Sequence, residues 1–350
     1  MRIELTDFTA FTPDAQRIAA NLEQSYFAWL DARRQWADLP TSMFWVNKQD
    51  ADYLHLKQDS RDNGTSIGVR NAQTEAQFDE YQQQRSNLEE RLASLSRLLE
   101  ERGKIYRLKA LRLPFIADAP VHILRQLDID ELLGLDVIVV GTNAFAAYEL
   151  LAGARFPGGN ETTEDFDMAW CRDTKASLAA IAPRTRQSPK KTVFASLRVV
   201  DSSYAINRAK PYQAINKAGY EVELLAAPST HPIPKTEAFN PMATLVEQEW
   251  LLMGSPLSAV LTSQSGQACQ LVVPDPRYMA LHKIWLSKKP LRNKNKIDKD
   301  HRQGYVLLEA ARHFFKTSHP LDVDFIFSLP DELRLIFDAW CAERQFIPAA

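Results

Sequence analysis

The sequence has no long apolar run. Its most apolar window, Val137 to Ala154, is interrupted by Thr142, Asn143, Tyr148, Glu149 and Gly153, so it cannot serve as a membrane span. The opening MRIELTDFTAFTPDAQ carries acids early and lacks an apolar core of roughly 7–15 residues, which excludes a secretory signal. Cysteine is scarce: Cys171, Cys269 and Cys341 stand far apart in no metal-ligand spacing, which fits a reduced compartment. Histidine is scattered, with no His-x-x-x-His or Cys/His grouping, so a zinc site is not expected. There is no GxSxG elbow, no Walker loop, no GxGxxG fingerprint, no internal repeat and no low-complexity segment. Charge of one sign is lacking too: the formal net charge is -2, so nothing pulls the whole chain toward a polyanion and any such site has to be a local patch. These absences leave a soluble, cytoplasmic chain with no membrane partner as the expectation.

What is present is an ordinary globular balance over 350 residues, 45% apolar and 25% charged, enough for two or three domains. Residues 1–118 read as a helical N-terminal region. Ile18, Leu22, Tyr26 and Leu30 share a helix face, and Leu88, Leu92, Leu95 and Leu99 form a heptad seam within a long polar helix from Thr74 to Leu111. The seam runs under three heptads, so a helical hairpin or a packed arm is expected rather than an independent coiled coil. DSRDNGTSIGVR, from Asp59 to Arg70, is turn-rich. Residues 119–228 read as an α/β core: a helix over Ala119–Leu133, a buried strand at Val137–Val140, a helix over Thr174–Ile181, a strand over Thr192–Val200 and an alternating strand GYEVELL at Gly219–Leu225. The prolines at 228, 232, 234 and 241 mark the crossing into a mainly helical region, 229–350. The fold class is therefore α+β, a mixed sheet flanked by helices.

The chain is organised around the stretch from Asp136 to Arg172. Its strand ends in a Gly141-Thr142 turn, a helix begins at Asn143, and a second strand follows a polar loop and carries Asp165 and Asp167. A strand period of two places both carboxylates on one face, roughly 7 Å apart, where they repel unless a cation lies between them. The cation is read as Mg²⁺, with Mn²⁺ as the alternative. The turn offers backbone N–H groups and a hydroxyl at a helix N-terminus, a seat for phosphate, so Gly141, Thr142 and Asn143 are nucleotide-binding candidates. A third carboxylate would come from GYEVELL, where Glu221 and Glu223 share one face and either fits.

Gly141-Thr142 on a strand-to-helix turn, Asp165-Phe166-Asp167 and Val222-Glu223-Leu224-Leu225 resemble the nucleotidyltransferase superfamily of polymerase beta and the CCA-adding enzymes. More closely, SIGVR at Ser66, VVGTNAFAAYE at Val139, TTEDFDMAW at Thr162 and PRYMALHKIWLSKK at Pro276 are similar to a bacterial nucleotidyltransferase-like family. The resemblance implies that Gly141 and Thr142 hold a triphosphate and that Asp165 and Asp167 bind the metals. It implies that Glu223 is the third carboxylate and acts on the acceptor hydroxyl. Superfamily members usually place Asp there, and Ser or Gly after the glycine.

From Lys283 to Arg302 there are eight basic residues against Asp298 and Asp300, a surplus of six positive charges in twenty residues. That concentration predicts a polyanion face, either a triphosphate or an RNA backbone. Lys283 falls in an apolar helix start, where a lysine needs a partner to be buried. The resemblance adds Arg277, Lys283, Lys296 and Asp300 as the wall of the cleft, and Arg70 is a candidate to reach the phosphates from the N-terminal region. His282 reads as a packed histidine. The expected activity is transfer of a nucleoside monophosphate from an NTP to a hydroxyl on tRNA, protein or a small molecule. A catalytically inactive nucleotide- or RNA-binding regulator of the same fold is the alternative, and a Mn²⁺-dependent glycosyltransferase leaves the Gly-Thr turn unexplained.

Overall fold

The computed structural model describes residues 3–48, 50–58, 63–157, 175–180, 191–225, 227, 246–290, 292 and 294–349. The chain forms two compact units, Gln24–Arg102 and the remainder, residues 1–23 with 103–350. Each carries its own helices and sheet, so the fold is α+β.

In chain order the elements begin with β1 (Thr9–Ala10), α1 (Pro13–Asp38), β2 (Ser42–Lys48), β3 (Ala51–Lys57), β4 (Thr65–Val69) and α2 (Ala72–Tyr106). Within Gln24–Arg102, β2, β3 and β4 form an antiparallel sheet in that order. The reading of residues 1–118 as helical is corrected here. The hairpin turns at Asp50, whose φ of 65° supplies the left-handed residue that a tight turn needs without a glycine to advertise it. The leucine seam turns inward, with Leu92 and Leu99 buried. Arg91 on α2 reaches Asp31 and Gln35 on α1, and Arg85 lies over the Trp36 ring, so the two helices pack antiparallel, as a hairpin whose connecting segment is the three-stranded sheet.

The second unit continues with β5 (Phe115–Ile116), α3 (Ala119–Ile129), β6 (Val137–Val140), α4 (Ala144–Ala152), β7 (Ala154–Arg155), β8 (Lys175–Ala180) and α5 (Val193–Val200). Then come β9 (Ala205–Ile206), β10 (Gln213–Ile215), β11 (Glu221–Leu225), a 3-10 turn (Val246–Leu252), β12 (Leu257–Ser263) and β13 (Ala268–Val273). Helices α6 (Pro276–Ser287), α7 (Lys294–Phe314), α8 (Val323–Ser328) and α9 (Asp331–Arg344) close the chain. The main sheet has the order β6-β8-β11-β10-β9. In it β8 runs antiparallel to β6 and parallel to β11. A smaller sheet, β13-β12-β5, lies against α3 and α4.

Two expectations are reversed inside the core. Residues 175–180, KASLAA, read as helical on propensity but form the interior strand β8, because both of its edges are paired. Residues 193–200, VFASLRVV, read as a strand but form α5. Thr192 caps it by accepting from the Ala195 N–H at 3.1 Å, and Val193 and Leu197, four apart, are buried. Strand β6 is buried at all four positions and β11 alternates, with Val222 and Leu224 buried between half-buried Glu221, Glu223 and Leu225. No helix among the described residues is long and apolar enough to cross a membrane.

Candidate active site

Strand β6 delivers the chain to Gly141, which turns it with φ at 80° into α4. An added Cβ at Gly141 would meet none of the described residues within 4 Å. Thr142 and Asn143 are buried, and the Asn143 side chain makes no capping hydrogen bond to α4. The Phe145 N–H donates to the Thr142 carbonyl at 3.0 Å, and this buried helix start has no side-chain cap for its other first-turn N–H groups, which are the ones a ligand could meet. The far end of α4 is pinned: Tyr148 donates to the Pro274 carbonyl at 2.8 Å, and Gly153, with φ at 64°, ends the helix.

The turn opens on a cavity of about 300 Å³. Leu225 of β11 lines it beside Val140, Gly141, Thr142 and Asn143, and the 3-10 turn adds Glu247, Gln248 and Leu251. From α6 come Met279, His282, Lys283 and Leu286, a single helix face at steps of three and four. Arg292, with Lys296, Lys299 and Asp300 of α7, completes the wall. Among the described lining residues, four cations, Lys283, Arg292, Lys296 and Lys299, thus face two carboxylates, Glu247 and Asp300, a surplus of two positive charges around a small volume.

The ion pairs explain how that charge is held. Lys283 and Asp300 are almost wholly buried, and the ammonium donates to Asp300 Oδ1 at 2.9 Å. Arg292 donates to Oδ2 of the same carboxylate through Nε, at 2.7 Å, and through a second guanidinium nitrogen. One carboxylate therefore anchors two cations and leaves the trio with a net positive charge. Burial lowers the Lys283 pKa, and Asp300 opposes that shift. His282 is driven further, to about 3, by its own burial and then by the Lys283 and Arg292 charges against the pull of Asp300, so its ring is neutral at physiological pH.

Of the residues expected from sequence, Gly141, Thr142, Asn143, Lys283, Lys296 and Asp300 line this one cavity. Glu223 is not on the lining, but it shares the face of β11 with Leu225, which is. Sheet pairing sets Val140 opposite Ser177, and Ser177 opposite Glu223, in one row across three strands. At about 4.8 Å per strand, Glu223 and the residue before Gly141 are about 10 Å apart. Glu221, two positions along, accepts from the Gln213 amide at 2.6 Å. Asp165 and Asp167 lie outside the described residues, as does the loop before them.

Two other candidates are placed elsewhere. Arg277 is off the cavity lining: it grips Asp275 at 2.7 Å, donates to the Pro320 carbonyl and lies over the Phe325 ring, a set of contacts that ties the start of α6 to the C-terminal helices. Arg70 belongs to the Gln24–Arg102 unit, where it pairs with Glu75 at 2.8 Å and Asp52 at 3.4 Å and lies over Trp45. Arg292 and Lys299, counted only as part of a basic run, turn out to be wall residues. Gln248 and Glu247 gave no signal, since they follow a proline-rich crossing with no periodic pattern.

A family model described as nucleotidyltransferase matches residues 119–324, more than half of the chain. No curated protein and no solved structure matches the chain.

Proposed function

The chain belongs to the nucleotidyltransferase family, and from that premise we propose that it binds an NTP in the cavity at Gly141 and transfers the nucleoside monophosphate to an acceptor hydroxyl. The observation that carries this reading is the meeting, in one cavity, of an uncapped glycine turn at a helix start with four cationic side chains. Backbone N–H groups at the start of α4 would take the outer phosphates, and Arg292, Lys296 and Lys299 would neutralise them. Lys283 is held to Asp300 and contributes chiefly field rather than a free donor.

In the transfer, the acceptor oxygen attacks the α-phosphorus and a P–O bond forms. The bond from that phosphorus to its bridging oxygen breaks, and pyrophosphate leaves with the electron pair. We assign the acceptor's proton to Glu223, whose half-buried carboxylate lies in the sheet row that leads to Gly141. Mg²⁺ would be held by Asp165, Asp167 and Glu223, carboxylate oxygens being the donors a hard cation takes, and bound there it would supply charge neutralisation for the leaving group. Among the described residues no cluster of acids, histidines or cysteines is gathered to hold a metal, and Glu223 is the described member of the proposed set. The acceptor we propose is RNA, tRNA included, because Lys288, Lys289, Lys294 and Arg302 add positive charge to the run beyond the four cations on the cavity; a protein or small-molecule acceptor is an outcome of the test below. A non-catalytic regulator that binds nucleotide and releases no pyrophosphate is the second reading, favoured only by Glu223 standing where aspartate is usual.

The test is incubation of the full chain with each labelled NTP, Mg²⁺ and total cell extract, followed by identification of the labelled product. Transfer of label with release of pyrophosphate is expected, and its loss in Asp165→Ala/Asp167→Ala. Binding without release would support the regulator, and no NTP binding by calorimetry would overturn both readings.

A further inference from the structure

Two polar side chains on the cavity wall are more than nine-tenths buried and have atoms without a hydrogen-bond partner. His282 is 4% exposed and neither ring nitrogen is bonded; Gln248 is 8% exposed and its Oε1 accepts nothing. Buried polar atoms are normally satisfied, and these two orphaned groups share one cavity, where a ligand can reach them. Packing alone does not account for them. The His282 ring is already stacked on Trp285, at 6.0 Å, and set edge-on to Trp250, at 6.3 Å, and a phenylalanine would fill that slot with nothing left unmet.

The same aromatic contacts bring the two groups to one part of the wall. Trp250, two residues after Gln248, packs at 4.9 Å on Trp285 of α6, so the 3-10 turn is clamped to the helix that carries His282. Leu251 and Met279 line the cavity beside them. The local surface is therefore apolar, with an amide oxygen that can only accept and a neutral imidazole that offers one N–H and one lone pair. A flat heteroaromatic ring with a donor next to an acceptor on its edge is the ligand chemistry that matches. The cations that would meet phosphate, Arg292, Lys296 and Lys299, come from different segments of the wall.

We propose that Gln248 and His282 are the residues that read the nucleobase of the bound NTP and so set which nucleotide the enzyme uses. This rests on the nucleotide reading of the cavity, and the measurement separates the two. ATP, GTP, CTP, UTP and inorganic tripolyphosphate are titrated by calorimetry, with Mg²⁺, into the full chain and into Gln248→Met and His282→Phe. Each variant keeps the volume and apolar packing and removes the hydrogen-bonding atoms.

The wild type is expected to favour one base by about tenfold or more, since a buried polar site rejects ligands that leave it unpaired. In either variant the spread should shrink to about twofold with tripolyphosphate affinity unchanged. If both variants keep the wild-type ranking and spread, or if the wild type binds all four NTPs equally, the base-reading assignment is overturned while the nucleotide site stands. If the wild type binds tripolyphosphate but no NTP, or binds neither, the nucleotide reading falls and takes this inference with it. Thermal unfolding of each variant confirms folding, and Gln248→Met decides the matter alone should His282→Phe not fold.

Discussion

His282 holds a neutral, nearly buried imidazole, and that has a consequence for stability. Its pKa falls from 6.5 to about 3. Between those values the unfolded chain binds a proton that the folded chain refuses. Stability therefore rises with pH through that window and is lost as pH falls from 6.5 toward 3, by about 1.4 kcal/mol per pH unit from this group. Lys283 and Arg292 widen that window and Asp300 narrows it. Denaturant midpoints at pH 7, 6, 5 and 4 should fall more steeply for wild type than for His282→Phe, and parallel slopes would mean the ring is not neutral and buried. Asp300 gives a second expectation. It is the shared partner of Lys283 and Arg292, so Asp300→Ala strands a buried ammonium and should cost about 3–5 kcal/mol in urea unfolding. Asp300→Ala together with Lys283→Met should recover much of that loss. Lys283 was legible in the sequence because a lysine in PRYMALHKIW demands a partner. That Gln248 and His282 would be left without partners was not, because satisfaction of a polar atom depends on what folding brings near it.

Helices α6 and α7 form the basic side of the cavity, and their separation is set by Gly304. A Cβ there would crowd Ile284 Cγ1 and sit 2.6 Å from the Ala280 carbonyl oxygen and 3.0 Å from the Ile284 amide nitrogen, on the facing helix. Gly304→Ala must push the helices apart. The expected cost is about 1–3 kcal/mol, read as a lowered thermal midpoint, together with weaker tripolyphosphate binding because the Lys283–Asp300 pair spans the same two helices. An unchanged midpoint would show that the helices have slack. Elements were legible wherever pattern and burial agree: VIVV is buried throughout, EVELL alternates, and the helix after Gly141 ends at a glycine. They were misread where local propensity opposes the sheet. KASLAA has the composition of a helix, and only pairing on both edges makes it a strand. VFASLRVV has the composition of a strand, and a threonine cap with one buried stripe makes it a helix. The β2–β3 hairpin escaped notice because its turn uses Asp50 in place of glycine, and because strands buried on neither face completely show weak alternation.

At the scale of the whole molecule the balance of charge decides how an anion finds the site. The chain carries a net charge of -2, so there is no long-range attraction, and at physiological ionic strength fields fade over about 8 Å. What remains is the local surplus at the cavity, where exposed Lys296 is open to screening while Lys283 is buried beside Asp300. Tripolyphosphate binding should therefore weaken as NaCl is raised, and Lys296→Ala should flatten that salt dependence, costing affinity mainly at low salt. Lys283→Met should lower affinity at every salt concentration, because a buried charge is poorly screened. Calorimetric titration of wild type and both variants across a NaCl series reads the slopes directly. Equal slopes for wild type and Lys296→Ala would place the bound anion away from α7 and detach the basic stretch from the glycine turn.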